Sequence, residues 1–369
     1  MSRHLLSAAI ASCLLVVFAV APAFAQRPPT DRHVPELAAY LDRVQIAEPA
    51  RYRQLSVYPL LLQDGAKLRG RWLTLDGAIA RGVLAVSEKG EGGAVPTVVV
   101  ENRSRDEHVF LMTGEMITGG KQTRTVRHDV VLAPGQRIEL DVFCVEAHRW
   151  AGGKDFSAGK ALVPPSIQQE LRKGADQHRV WSEVAGKNAA MNAENPTGSL
   201  ELAIKTRPVQ EKLAEVRRDI LPKMPEGTVG YIFVNRNRAV AAECFGSEQL
   251  ARELLPKLLD SYVIDCVLLG KDAPAADARG DQRAAVEFFE RVCRAGSQRA
   301  NTPGSGAGIR TRDGRLLGDG VSLDNTPVHY GVQVEERIVP LPEPRPMLRP
   351  MPLDRRTPLE QIEPMQRHR

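Results

Sequence analysis

The chain predicts an α+β fold, an antiparallel β-meander covered by helices, and three observations carry that prediction. From Pro96 to Trp150, short β-branched runs such as Val98-Val99-Val100 are punctuated by Gly, Pro, Asn and Ser, as half-buried strands joined by turns are. Val209, Leu213, Val216 and Ile220 recur one helical turn apart. Val229, Tyr231 and Phe233 alternate, Asn235-Arg236-Asn237 supplies residues that tolerate positive φ, and Val240, Ala242 and Cys244 alternate again, so a β-hairpin is expected. With 369 residues and an apolar fraction of 43%, the chain can bury a sizeable core.

Taken in order, residues 1–25 have the form of a secretory signal peptide. Arg3 and His4 precede an apolar run from Leu5 to Val20, and Ala23-Phe24-Ala25 gives the small-x-small pattern before Gln26. The run is short for a bilayer span, so a periplasmic or secreted protein without a stable membrane span is expected after cleavage. Residues 26–270 read as the main domain. Val34 to Ile46 has helical spacing, Leu55 to Leu62 is strand-like, and Ile79 to Val86 fits a strand or a helix equally. Beyond the meander, Pro164-Pro165-Ser166 with Gln169 three residues after the serine reads as a capping box. Gly246-Ser247 caps a helix with Leu250, Leu254, Leu258, Tyr262 and Cys266 on one face, which Pro256 should kink or split. Residues 271–335 read as a linker, a helix and a short extension with a strand pair around Asp313-Gly314 and Asp319-Gly320. Residues 336–369 read as a disordered Pro-rich tail.

Composition and cysteine usage narrow the function. The formal charge of +5 is spread along the chain and aromatics make up only 5%, which argues against a nucleic-acid surface. Export would remove Cys13 and leave Cys144, Cys244, Cys266 and Cys293 in an oxidising compartment, where a disulfide bond is expected. Cys266 to Cys293 is the favoured pair because both lie on apolar faces of neighbouring helices. No Cys-x-x-Cys spacing is present, and His108 and His128 stand at no ligand spacing from His148, so no metal site is assigned. The spacing of a P-loop is absent, as are serine-hydrolase and dinucleotide fingerprints in a strand-turn-helix context, and the cofactor is unknown.

The polar residues of the meander are denser than a structural sheet requires. Glu101 and Asn102 lie among them, and Glu115, Lys121, Gln122, Arg124, Glu146 and Arg149 are expected to converge on one ligand-binding pocket. The turn Gly119-Gly120-Lys121-Gln122 has the chemistry to hold an anion with backbone N–H groups and an ammonium, or to be a turn with a solvated lysine. Glu115, Glu146 and His148 are the candidate catalytic groups. Two carboxylates with separated pKa values would suit acid/base hydrolysis, while pairing of Glu115 with Lys121 or Arg124 would make it structural. Trp150 would plug the core or rim the pocket.

The segments VVVENRSRDEHVFLMTGEMITGGKQTRT and LAPGQRIELDVFCVEAHRW, followed by VGYIFVNRNRAVAAECFGSEQLARELLPKLLDSY, carry a resemblance. With their Gly-Glu, Gly-Gly-Lys-Gln, Pro-Gly and Cys-Val-Glu-x-x-Arg-Trp elements in order, they resemble the ARG-and-rhodanese-phosphatase-superfamily-associated protein domain, where ARG denotes ADP-ribosylglycohydrolase. The resemblance covers roughly Leu55 to Leu268, and His148 stands where a small residue is usual. It implies an α+β domain linked by gene neighbourhood to ADP-ribose or phosphate chemistry. The expected function is an exported binding or scaffolding domain whose partner is an anionic or ADP-ribose-like small molecule or an envelope protein. The alternative is a hydrolase acting on a phosphate- or ribose-containing substrate with Glu115 and Glu146 as acid and base.

Overall fold

The structure, a computed structural model, describes residues 34–65, 68–90, 96–153, 155–269 and 277–335. The leader and the Pro-rich tail expected from the sequence lie outside these residues. Helix α1 (Pro35–Leu41) starts with a proline, whose missing N–H is no loss there. The helical spacing read through Ile46 stops at Leu41, because β1 (Val44–Ile46) pairs with Leu60 to Leu62 instead. Next come β2 (Ala50–Tyr52), β3 (Leu55–Leu62), β4 (Arg71–Thr74), α2 (Leu75–Ala80) and β5 (Leu84–Glu88). The ambiguous stretch is therefore the end of a helix and the start of a strand, separated by Gly82 at φ 66°.

The meander contributes β6 (Thr97–Asn102), β7 (Glu107–Leu111), β8 (Glu115–Gly119), β9 (Arg124–Val126), β10 (Val130–Leu132), β11 (Arg137–Cys144) and β12 (Phe156–Leu162). Helices α3 (Pro165–Lys173), α4 (Gln177–Ala190), α5 (Leu200–Ile204) and α6 (Arg207–Ile220) follow. The capping-box expectation is corrected here, because Pro164 is the N-cap and Ser166 lies already inside α3, so its hydroxyl caps nothing. The hairpin is β13 (Thr228–Asn235) and β14 (Arg238–Phe245), with Arg236 and Asn237 at φ 52° and 58° in its turn. Ser247 then caps α7 (Glu248–Val263) by accepting from Leu250 N at 3.4 Å.

Pro256 does not split α7, which runs unbroken into a π-helical turn at Ile264–Leu268. A helix-interior proline costs about 3 kcal/mol. Burial of Leu254, Leu255, Leu258 and Leu259, all at 4% exposure or less, stabilises the same helix by roughly 1.5–3 kcal/mol per side chain and outweighs that cost.

The chain closes with α8 (Ala278–Arg294), β15 (Ser297–Ala300), β16 (Ala307–Asp313), β17 (Leu316–Leu323) and β18 (Thr326–Val334). These C-terminal elements are no extension. Among the described residues, a nine-stranded sheet has the order β1-β3-β13-β14-β18-β17-β16-β15 with β2 on β3, so β18 pairs directly with the hairpin. The expected strand pair is part of a longer meander, and Asp319-Gly320 lies within β17 rather than in a turn. The turn is made by Asp324 and Asn325, both at positive φ. A six-stranded sheet, β12-β8-β9-β11-β6-β5, and a three-stranded sheet, β10-β7-β4, complete the fold.

Side-chain alternation along the hairpin feeds two cores. Tyr231, Phe233, Ala241 and Phe245 pack with α3, α4, α6 and α7, while Ile232, Val234, Ala242 and Cys244 pack with α1 and α8. A third core, including Val98, Val100, Val109, Leu111, Ile117 and Val126, lies between the two smaller sheets. No disulfide joins the described cysteines, all four of which are buried. The favoured Cys266–Cys293 pair is separated, with Cys266 in the first core and Cys293 in the second.

Candidate functional site

The motif residues meet where β8, β9 and β11 lie side by side. Register puts Arg124 of β9 between Ile117 of β8 and Cys144 of β11. Gly119 ends β8 and Gly120 opens the turn after it, at φ 102° and 51°, values that favour glycine. The approach is close as well, since a Cβ on Gly119 would lie 2.1 Å from Asp155 O and one on Gly120 2.4 Å from the Phe156 ring. The anion that meets this turn is the protein's own Glu88. Glu88 Oε1 accepts from Lys121 N at 2.8 Å, and Glu88 Oε2 meets Arg124 Nη2 at 2.8 Å.

The remaining partners form a closed set. Arg124 is fully buried and donates from Nη1 to Gln122 O (3.2 Å), while its Nε has no hydrogen-bond partner. Gln122 donates to Glu146 O and accepts from Cys144 Sγ at 2.7 Å. Burial pushes the Cys144 thiol up to about 12, so it remains protonated. Glu146 takes Arg149 Nε at 2.9 Å, Arg149 Nη2 at 2.7 Å and Thr123 N at 2.9 Å. Burial pulls its carboxyl upward, but these donors prevail and hold it below the usual carboxylate range. Arg149 also donates to Gly120 O at 2.8 Å, tying the glycine turn to the end of the motif.

Glu115 is not part of this set. Fully buried at the start of β8, it accepts from Met112 N at 2.9 Å and pairs with Lys257 of α7 at 3.3 Å, while Lys257 also reaches Asp76. Burial raises its pKa, more than the Lys257 charge lowers it. The expected convergence of Glu115 with Lys121 and Glu146 is therefore corrected. The buried carboxylate is neutralised by a lysine from a distant helix, which no spacing within the meander could reveal. Asn102 proves structural, donating to Glu107, Leu132 and Ala133 carbonyls, and Glu101 pairs with Arg103.

At the surface the cluster ends in a rim. Trp150 is 44% exposed, and Lys121 Nζ stands 5.3 Å from the centre of its ring. His148 is exposed beside Gly198 and donates its backbone N–H to Thr197 O.

A protein-family model, that of the ARG and Rhodanese-Phosphatase-superfamily-associated Protein domain (ARPP-1), matches residues 43–332. The chain belongs to this family. No curated protein and no solved structure is matched by the chain. The ARPP-1 match spans β1 through β17 and takes in residues of β18, so the C-terminal meander belongs to the ARPP-1 domain rather than following it.

The ARPP-1 domain also contains a buried charge network that the sequence reading missed. His329 of β18 lies with Nδ1 2.5 Å from Asp129 Oδ2 and Nε2 3.1 Å from Glu243 Oε2, and Tyr262 donates to Glu243 at 2.8 Å. Burial disfavours the imidazolium, yet the two carboxylates prevail and raise its pKa to about 9. The signal was available in β18, where Val328, Tyr330 and Val332 alternate with His329, Gly331 and Gln333. That polar face reads as solvated, but it faces protein. Among the described residues, no group of His, Cys, Asp and Glu is arranged to hold a metal ion, and no helix is long and apolar enough to cross a membrane.

Proposed function

We propose that this ARPP-1 domain is an exported binding module whose ligand is a small anion bearing a flat ring, engaged at the rim of Lys121 and Trp150. The observation that carries the reading is the exposed Trp150 ring with the Lys121 ammonium 5.3 Å from its centre. An indole face and a fixed cation together suit a ring for stacking and a charged group beside it. Gln122, Arg124, Glu146 and Arg149 act behind the rim as its rigid mounting, since their polar groups are directed at one another and at the glycine turn.

The state of the carboxylates supports binding over hydrolysis. Glu146 is ion-paired and held in its charged form, and Glu115 is sealed from solvent beside Lys257, so the two do not flank a common cleft. The test is a thermal-shift and calorimetric titration with nucleotides, ADP-ribose and phosphorylated sugars, applied to the wild type, Trp150→Ala and Lys121→Ala. A ring-bearing anion should bind, with affinity reduced about tenfold or more in each variant. Turnover of the bound compound, or binding indifferent to both substitutions, overturns the reading.

A further inference from the structure

Among the described cysteines, one pair shares a core. Cys244 of β14 and Cys293 of α8 both lie in the second core, at 1% and 6% exposure. Cys266 belongs to the first core, and the Cys144 thiol is engaged with Gln122. Cys244 faces α8 from a strip of small residues. Ala242 lies on the same face of β14, and Gly230 stands directly across from Cys244 on β13, so the helix meets little side-chain bulk there.

Helix α8 also runs in step with the hairpin it covers. Its first turn is tied to the hairpin turn, where Asn237 N donates to Asp281 Oδ1 at 3.0 Å. From that tie Cys293 lies roughly 18 Å along the helix, at about 1.5 Å per residue. Cys244 lies roughly 23 Å along β14, at about 3.3 Å per residue, and the extra residue of β14 where the hairpin register shifts shortens that path. The two cysteines therefore arrive nearly level. Burial raises the Cys244 pKa well above its ordinary value, and the neighbouring Glu243 and Cys293 raise it further, which is the electrostatic mark of two sulfurs close together.

We infer that Cys244 and Cys293 are a disulfide-forming pair, and that the exported chain carries a Cys244–Cys293 bond in place of the two thiols of this structure. The inference rests on the export part of the proposed function and not on the ligand at the Trp150 rim. The bond forms by two thiol–disulfide exchanges with a disulfide-bearing oxidant of the oxidising compartment. One cysteine, deprotonated, attacks the oxidant's disulfide and displaces one of its sulfurs as a thiolate. The other cysteine, deprotonated in turn, attacks the mixed disulfide, closes the Cys244–Cys293 bond and releases the oxidant's second thiolate. Two electrons pass to the oxidant, and the two protons lost by the cysteines convert its thiolates into a dithiol. Both sulfurs are sealed once α8 has docked, so the exchange precedes docking, and the finished bond is then out of reach of reductants. It closes a loop of roughly fifty residues that contains α7, and so ties a late helix to the hairpin.

The test uses the full mature chain from its native secretory route, denatured and alkylated with iodoacetamide before and after reduction, and read by intact mass and peptide mapping. Before reduction, Cys144 and Cys266 should be alkylated, and one disulfide-linked peptide pair should contain Cys244 and Cys293. After reduction all four should be alkylated. Cys266→Ser should leave the linked pair in place, whereas Cys293→Ser should abolish it and open Cys244 to alkylation. Because the readout is taken on denatured protein, it holds for a variant that folds poorly. A chain that begins at Gln26 with four alkylated thiols before reduction overturns the bond and leaves export standing, and so does a linkage made through Cys144 or Cys266. A chain that keeps residues 1–25 with every cysteine alkylated overturns export and the bond together.

Discussion

His329 is the single residue on which most charge converges. Held between Asp129 and Glu243, with the Phe110 and Phe245 rings 5.7 and 4.6 Å away, it is protonated at neutral pH in the folded state. Its ordinary pKa near 6.5 is raised to about 9, so the native state binds more protons than the unfolded chain between those values. Stability from this group is fully present below about pH 6.5 and is lost as pH rises through about 9, on the order of 3 kcal/mol in all. Urea unfolding between pH 6 and 10 should show that decline in the wild type and not in His329→Gln. The variant itself should be destabilised by about 3–5 kcal/mol at pH 7, because two buried carboxylates lose their cation. Lys257→Met should behave similarly, leaving Glu115 without its positive partner, and chemical denaturation measures the loss. Neither pairing was legible in the sequence. Asp129 and His329, like Glu115 and Lys257, stand too far apart in the chain for any local pattern to connect them, whereas Glu146 and Arg149 lie three residues apart and were read as one cluster.

Among the elements, those defined by local chemistry were the most legible. The β13–β14 hairpin follows from its alternation and its Asn-Arg-Asn turn, and α6 from its apolar spacing. The misreadings come from tertiary context. Pro256 is tolerated because the leucines around it are buried, and Ser166 is inside a helix because Pro164 and Pro165 already set its start. The glycine turn at the end of β8 was legible in type but not in occupant, since Glu88 arrives from another strand. That turn is held by close contact. A Cβ on Gly152 would lie 1.9 Å from Gly120 O and 2.8 Å from the Arg149 guanidinium. Gly152→Ala should therefore displace the turn from Arg149 and abolish ligand binding at the Trp150 rim while leaving the global melting temperature nearly unchanged, a separation that titration and thermal unfolding measured side by side would reveal.

For the whole molecule, the fold class was legible and the domain boundary was not. The boundary near residue 270 follows composition, yet β18 hydrogen-bonds to β14 and α8 packs on the same hairpin. A chain ending at Leu269 exposes the edge of β14 and one entire core, so it should show neither cooperative unfolding nor dispersed amide resonances, in contrast to a chain ending at Glu335. Export is testable at the same scale. Intact-mass analysis of protein from the native secretory route should find the chain beginning at Gln26, and retention of Cys13 would refute cleavage there.

The order of strands around the hairpin has a consequence in time. β13 and β14 form a local pair, but their outer neighbours are β3, made early in synthesis, and β18, made last. The central sheet cannot close until the ribosome has released nearly the whole described chain. Until then the hairpin carries an open edge awaiting residues 326–334, and contacts of such wide sequence separation form slowly. The nascent chain thus spends its synthesis as an unfinished sheet, a state suited to holding by a chaperone and to passage through a narrow pore before the final strand locks it.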